Sequence, residues 1–199
     1  AITKYYGILL LMVLQAFSSK AQVFQTAYER SGHTECATYS EVIENCKSLD
    51  AYSDQVSYRV FGHSGRGHDL PMLILDKEGY KTAAKIQESG RKVILIEASI
   101  HAGEPDGTSA GMMLMRDIIE NDSLHYLMDN ISIVFMPVLN VDGYLRRSPY
   151  NRINQNGPEE MGWRTNARNL NLNRDFLKAE SVEIQHWLQV FIRFMPDFF

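Results

Sequence analysis

Cysteine is scarce in this 199-residue chain, which carries only Cys36 and Cys46. A small disulfide-stapled scaffold is excluded on that count, and even the single possible bridge is not expected. Thr38-Tyr39-Ser40-Glu41 reads as a capping box, and Val42, Ile43, Cys46 and Leu49 then fall at helical spacing. A helix rising about 1.5 Å per residue carries Cys46 more than about 10 Å from Thr38, whereas bridged Cα atoms lie within about 7 Å of each other. Lysine and arginine form no stripe and the net charge is −4, so nucleic acid is not an expected partner. A long apolar run is missing too. Tyr5 to Phe17 is too short for a membrane span and leads into Ser18-Ser19-Lys20-Ala21, where the small residues Ser19 and Ala21 fit a signal-peptidase site before Gln22. Residues 1–21 are therefore expected to be a signal peptide, with an amino-terminal anchor as the alternative. The mature chain would be secreted or periplasmic, with no stable membrane span. From Gln22 onward it holds 24 acidic and 18 basic residues.

Neither disordered nor fibrous composition is present. With 45% hydrophobic and 22% charged residues, the chain reads as one globular domain with a sizeable core, from residue 38 to 199 after a short lead over 22–37. Its organising stretch is Lys92 to Asp106. Val93-Ile94-Leu95-Ile96 is short and apolar on both faces, as an interior strand is, and it exits through Ser99-Ile100 into His101-Ala102-Gly103-Glu104. Pro105 and Gly107 are expected to close off regular structure there. A histidine and a glutamate are thus delivered at the carboxyl end of a buried strand, the edge at which open α/β sheets bind ligands. Imidazole nitrogen and carboxylate oxygen are both zinc donors, so His101 and Glu104 are candidate metal ligands. The competing reading is a polar loop in which Glu104 favours the start of the next helix.

The flanking segments give an α/β pattern. A helix is expected over Tyr39 to about Leu49. Gln55–Phe61 and Asp69–Asp76 read as an antiparallel hairpin across the glycine-rich turn Gly62–His68. That turn joins strand to strand and lacks the Lys-Ser/Thr ending of a P-loop, which excludes a nucleotide cradle and leaves His63 and His68 as solvent-facing turn residues. Gly79–Gly90 reads as a polar connection with a hairpin turn. Ser109–Glu120 reads as a helix buried against a sheet, its methionines filling core, and Ile131–Pro137 as a second buried strand. Strand, helix and strand in succession imply parallel pairing through a right-handed crossover, with both carboxyl ends on one edge. Leu145–Asn173 has no periodic apolar pattern, and an irregular stretch of that length in a compact domain is usually functional. A helix over Glu180–Phe194 follows, and Pro196–Phe199 reads as the start of another strand.

Several motifs in order carry a resemblance. His101-x-x-Glu104 is followed 36 positions later by Asn140-Val141-Asp142-Gly143-Tyr144, then by Trp163-Arg164 and by Asn173-Arg174-Asp175. In that order and with those gaps, the stretch from Thr38 to Phe199 resembles the zinc carboxypeptidases, the metallopeptidases related to carboxypeptidase A. Phe61 to Asp69 is a looser match to their glycine-serine loop, with His68 where an arginine is common.

The resemblance implies a mixed, mostly parallel sheet flanked by helices. It also implies a single Zn2+ held by His101 and Glu104, and a peptide substrate with a free C-terminal carboxylate. Arg164 would stabilise the oxyanion formed when a metal-activated water attacks the scissile carbonyl, and Asn173 and Arg174 would hold the terminal carboxylate. Asn171 stands where the family commonly has an aspartate orienting the first zinc-binding histidine, and an amide oxygen accepts the imidazole N–H without bringing charge. The third ligand, the general base and a substrate-side tyrosine are expected beyond Phe199. His125 and His186 stand outside the family's positions. The domain is therefore expected to be incomplete at its C-terminus, and these 199 residues alone to be inactive. The alternatives are a non-catalytic peptide- or carboxylate-binding module and a cell-wall peptide amidase on the same scaffold.

Overall fold

The computed structural model describes residues 23–199, so the expected signal peptide over 1–21 lies outside the described residues. Helix α1 (Ala27–Arg30) and helix α2 (Tyr39–Tyr52) each open on a complete capping box, Thr26 with Glu29 and Thr38 with Glu41. In each box the threonine hydroxyl accepts an otherwise orphaned backbone N–H, while the glutamate reaches back to the cap. Of the expected face of α2, Val42, Cys46 and Leu49 are inaccessible and Ile43 is half-buried. Both cysteines are free and buried.

Strands β1 (Val56–His63) and β2 (Asp69–Asp76) form the antiparallel hairpin, with a bulge between Val60 and Gly62. Strand β3 (Lys92–Glu97) and strand β4 (Ile131–Met136) run parallel in the register Lys92↔Ile131 to Glu97↔Met136, joined through helix α4 (Asp106–Glu120). The sheet order is β1-β2-β4-β3, so the strand expected to be interior stands last in the order, with Val93 and Leu95 buried, Ile94 and Ile96 only half-buried, and a single parallel bridge from Phe198 to Ile94 on its outer side. The sheet is mixed and helix-flanked as expected, but two of its three strand pairings, β1 with β2 and β2 with β4, are antiparallel. Its parallel share is smaller than expected because the hairpin enters through β2 beside β4. Alternation along the strands divides the core in two. Leu73, Leu75, Ile133 and Phe135 face α2 and α4, while Met72, Ile74, Val134, Met136, Val93 and Leu95 face the opposite cluster with Ile184, Trp187 and Val190. That is the period of two expected of a sheet covered on both sides.

Two expectations are corrected. The connection Gly79–Gly90 is not a hairpin turn but contains helix α3 (Ala83–Glu88). Thr82 caps it by accepting from the Lys85 N–H, and Ala83 and Ile86 fasten it to the core three residues apart. Helix α4 begins at Asp106, three residues earlier than expected. Pro105 does not interrupt it, because its carbonyl accepts from Thr108 and Ser109 N–H while its missing N–H would have been an orphan in any case. Gly107 sits in that first turn, where a Cβ would lie 3.2 Å from the Ala98 Cβ. The packing of α4 also differs in part. Met112, Met115, Ile118 and Ile119 are core, but Leu114 is 41% exposed and Met113 half-buried. Residues 145–171 carry no helix or strand beyond an isolated bridge between Ser148 and Met161, as expected. Helix α5 (Val141–Tyr144) is a single turn, and helix α6 (Val182–Phe194) is capped by Ser181. No helix among the described residues is long and apolar enough to cross a membrane.

Candidate metal and substrate site

Parallel pairing of β3 and β4 puts their carboxyl ends side by side, and the pairing continues past both strands. Ala98 N–H donates to Met136 O (2.9 Å), Leu139 N–H to Ala98 O (3.0 Å) and Asn140 N–H to Ser99 O (3.2 Å). The segment leading to His101 is therefore laid against the one leading to Asn140–Tyr144. The chain turns sharply at Ser99, a buried residue with φ +53, a conformation that costs a non-glycine residue about 1–3 kcal/mol. Ser99 Oγ lies 2.7 Å from Thr108 Oγ1, which donates to Pro137 O, so this turn is tied to the start of α4 and the end of β4 at once.

The turn presents His101 and Glu104 together. His101 Nδ1 lies 3.2 Å from Glu104 Oε2, and His101 Nε2 lies 3.1 Å from Asn171 Oδ1. That same Asn171 oxygen accepts the Asn173 backbone N–H at 3.1 Å, which identifies it as the amide carbonyl. Nε2 must therefore carry a proton, which leaves Nδ1 as the ring nitrogen that faces the Glu104 carboxylate. A contact of 3.2 Å between that nitrogen and a carboxylate oxygen is bridged either by a proton on Nδ1 or by a metal cation that both atoms ligate. Two donors at about 2.0–2.1 Å from one tetrahedral zinc would stand about 3.3 Å apart, so the pair fits two corners of a zinc site. His101 is buried whereas the Glu104 side chain is 40% exposed, giving the pair one open side. Burial opposes ionisation of Glu104, but the Arg152 guanidinium and His101 outweigh it and hold the carboxyl below its usual range.

Arg164 is brought to the same place by a separate set of backbone contacts. Gly162 N–H donates to Ala102 O (3.2 Å), Trp163 N–H to Gly143 O (2.8 Å) and Asn140 Nδ2 to Arg164 O (3.1 Å). Gly162 is required for this approach, since a Cβ there would meet Ala102 O at 2.7 Å and Gly143 O at 2.8 Å. Arg164 Nη1 then reaches Glu104 Oε1 at 3.3 Å with its side chain 39% exposed. Asn173 and Arg174 belong to a short 3-10 turn, Leu172–Arg174, which Asn171 caps and the fully buried Leu172 anchors. Both of their side chains are exposed. His101, Glu104, Arg164 and Asn171 are thus joined by direct contacts, and Asn173 and Arg174 adjoin them through the Asn171 turn. His125 and His186 stand apart. The first lies beside Asp122 and the second packs its ring where a Gly62 Cβ would be.

Sequence reasoning missed Arg152, whose Nη1 lies 2.5 Å from Glu104 Oε1. One signal was present in Gly103, between the two candidate ligands. A Cβ there would sit 2.8 Å from Arg152 Cγ, so that glycine marks the close approach of another segment. The glycine-serine loop is likewise held by residues that sequence left without a role. Ser64 Oγ and Arg66 N–H donate to the buried Asp142, and Gly65 N–H donates to the buried Glu183. At the end of β3, burial pushes the Glu97 carboxyl up to about 7. A groove of about 970 Å³ begins one residue past Glu104, between Tyr28–Cys36, the outer face of α4 and the 149–161 loop, and none of the six expected site residues lines it.

The zinc carboxypeptidase family profile matches residues 42–190, about three quarters of the chain. The chain belongs to the zinc carboxypeptidase family. Solved structures of related fold include carboxypeptidase A from Helicoverpa armigera, with TM-score 0.63, 18% identity, and 91% of this chain covered against 47% of that one. A metallo-carboxypeptidase from Burkholderia cenocepacia aligns with TM-score 0.63 and 18% identity, over 81% of this chain and 39% of its own. The metallo-carboxypeptidase from Pseudomonas aeruginosa, solved in complex with (2-guanidinoethylmercapto)succinic acid, aligns with TM-score 0.59 and 20% identity, over 81% of this chain and 37% of its own. This chain therefore spans less than half the length of each of these carboxypeptidases. Within the family fold, the parallel β3 and β4 and the irregular 145–171 segment surround the candidate site.

Proposed function

We propose that this chain supplies the His-x-x-Glu half of the zinc site of a metallocarboxypeptidase that hydrolyses C-terminal peptide bonds, in a protein exported through a signal peptide at residues 1–21. The observation that carries the reading is the approach of two potential zinc donors, His101 Nδ1 and Glu104 Oε2, to 3.2 Å, with the other ring nitrogen of His101 engaged by Asn171. Zinc held there would lower the pKa of a bound water towards about 7 and polarise the scissile carbonyl. Asn171 Oδ1 accepts the Nε2–H of His101 and so leaves Nδ1 as the nitrogen available to a metal, and His101 is buried. Arg164, a partly exposed guanidinium whose backbone is fixed by Asn140, would receive the negative charge that develops on the carbonyl oxygen of the substrate. Asn173 and Arg174, exposed on their 3-10 turn, would bind the terminal carboxylate, Arg174 through its two-pronged fork.

Catalytic zinc usually takes three protein ligands. Among the described residues no three His, Cys, Asp or Glu side chains are grouped to hold a metal. The third ligand and the general base are assigned to sequence outside these 199 residues, a placement supported by the partial coverage of the solved carboxypeptidases. On this reading the 199-residue chain binds zinc weakly and turns over no peptide. The test is zinc binding by equilibrium dialysis together with release of the C-terminal residue from a peptide and from its C-terminal amide. Weak zinc uptake, lost in His101→Ala, with no turnover by the 199-residue chain, is the expected result. Zinc uptake untouched by His101→Ala would remove the metal assignment, and stoichiometric tight zinc with turnover would show that these residues hold a complete site. Binding of the free-acid peptide without any zinc would favour the carboxylate-binding module instead.

A further inference from the structure

Glu104 is approached by two guanidiniums on the same oxygen, and they are not equivalent. Arg152 Nη1 lies 2.5 Å from Oε1 and its side chain is 15% exposed, whereas Arg164 Nη1 lies 3.3 Å away and its side chain is 39% exposed. Arg152 has its one ion pair among the described residues with Glu104, and its Nε is buried without a protein partner. A buried guanidinium of this kind is kept in place by the carboxylate it meets.

The surrounding loop is built to deliver it. The Arg152 stem occupies the space beside Gly103, where a Cβ would lie 2.8 Å from Cγ and 3.0 Å from Cδ. Gln155 Nε2 donates to Gly103 O at 3.0 Å, so the irregular segment grips the main chain between the two candidate ligands as well as the carboxylate. With Oε1 taken by Arg152, the oxygen left facing His101 Nδ1 is Oε2.

We propose that Arg152 is a positioning residue for the metal site, one that fixes the Glu104 carboxylate so that a single oxygen, Oε2, is offered alongside His101. This rests on the zinc reading above. Metal-ligating carboxylates are held by hydrogen bonds from a second layer of residues, and loss of such a partner typically weakens metal affinity about 10–100-fold. The opposite sign is physically available, because a positive charge beside a ligand repels a divalent cation. The geometry decides between them: Arg152 sits on the oxygen turned away from His101, so its removal relieves little repulsion and leaves a half-exposed carboxylate held only by the longer contact from the more exposed Arg164.

The test is the zinc affinity of the full-length protein, measured by competition with a chromophoric chelator at one fixed pH, for wild type, His101→Ala, Arg152→Met and Arg152→Lys. Zinc affinity 10–100-fold weaker in Arg152→Met, with part of the loss recovered in Arg152→Lys, is expected. Recovery by lysine is not the result of a merely structural role, since lysine restores the charge on Oε1 but not the planar fork. Unchanged or tighter zinc binding in Arg152→Met, with His101→Ala strongly weakened, overturns the positioning role alone. No change in His101→Ala overturns the zinc reading on which it rests. If Arg152→Met does not fold, as judged by circular dichroism, Arg152→Gln is measured against the same thresholds.

Discussion

Asn171 is the position at which this chain departs from the aspartate common in the zinc carboxypeptidases, and its geometry allows the consequence to be worked out. Its Oδ1 accepts from His101 Nε2 at 3.1 Å and from the Asn173 backbone N–H at 3.1 Å. Both donors are satisfied equally well by a carboxylate oxygen, so Asn171→Asp keeps the cap of the 3-10 turn while adding a negative charge one hydrogen bond from the imidazole. A hydrogen bond to a neutral group contributes about 0.5–1.5 kcal/mol, and one to a charged group about 1.5–3 kcal/mol. The gain is therefore about 1 kcal/mol, felt chiefly when His101 shares its other nitrogen with a cation. Zinc affinity should rise roughly fivefold in Asn171→Asp, since about 1.4 kcal/mol corresponds to a factor of ten. Asn171→Leu removes both bonds, frees the ring to adopt the other tautomer, and should lower zinc affinity about 10–100-fold. Chelator competition on the two variants measures both. Asn171→Asp binding zinc no better than wild type, while Asn171→Leu binds it much worse, would mean that Asn171 acts only as a clamp and that its lack of charge costs the site nothing. Equal affinity in all three would refute the tautomer argument itself.

Two further predictions concern the scaffold that carries the site. Gly111→Ala would ordinarily favour a helix by about 1 kcal/mol. Here the new Cβ would stand 2.2 Å from the Phe135 Cζ, on a fully buried ring, so overpacking of about 3 kcal/mol should win. A melting temperature lower by about 4–8 °C, recovered in part by Phe135→Leu in the same protein, is expected, and a rise in the single variant would disprove the steric argument. Glu29 is held down to about 2, first by its hydrogen bond from Arg116 and against the opposing effect of burial. A depressed carboxyl contributes stability that is present above its unfolded pKa, about 4.5, and is lost as pH falls towards 2. That contribution is of order 2–3 kcal/mol. Wild type should therefore lose more melting temperature than Glu29→Gln between pH 5 and pH 3, and parallel decline of the two would show that the Glu29–Arg116 pair does not carry acid sensitivity.

What could be read from the chain alone was what periodicity and local caps encode. The strand at Val93–Ile96, the threonine cap of α2 and the strand–helix–strand order around α4 are local signals, and each appears where expected, whereas the capped turn α1 in the lead segment went unread. His101 and Glu104 were legible because one turn delivers both. Helix α3 was not, since six residues with two apolar contacts give too short a period to separate from a polar loop. Nor was the small parallel share of the sheet. A hairpin's order inside a sheet depends on which neighbour β2 finds, here β4, and its own residues say only that it is buried on both faces.

The irregular segment from 145 to 171 is where sequence reasoning runs out, and the reason is physical. A helix or strand fixes its side chains by repetition, so position in the chain predicts direction. A segment without repetition is fixed instead by what it touches: Gly162 on Ala102 O, Trp163 N–H on Gly143 O, Gln155 on Gly103 O, Asn166 with the buried Glu183. These contacts bridge distances in sequence from 17 to more than 50 residues, and no spacing rule connects their ends. Their trace in sequence is indirect and consists of residues that had to be small. Gly103, Gly143 and Gly162 each lack room for a Cβ because another segment's atoms lie within 3 Å. Seen that way, the glycine between His101 and Glu104 was as informative as the ligands beside it. It announced that something would press against the metal turn, and the structure identifies that partner as Arg152.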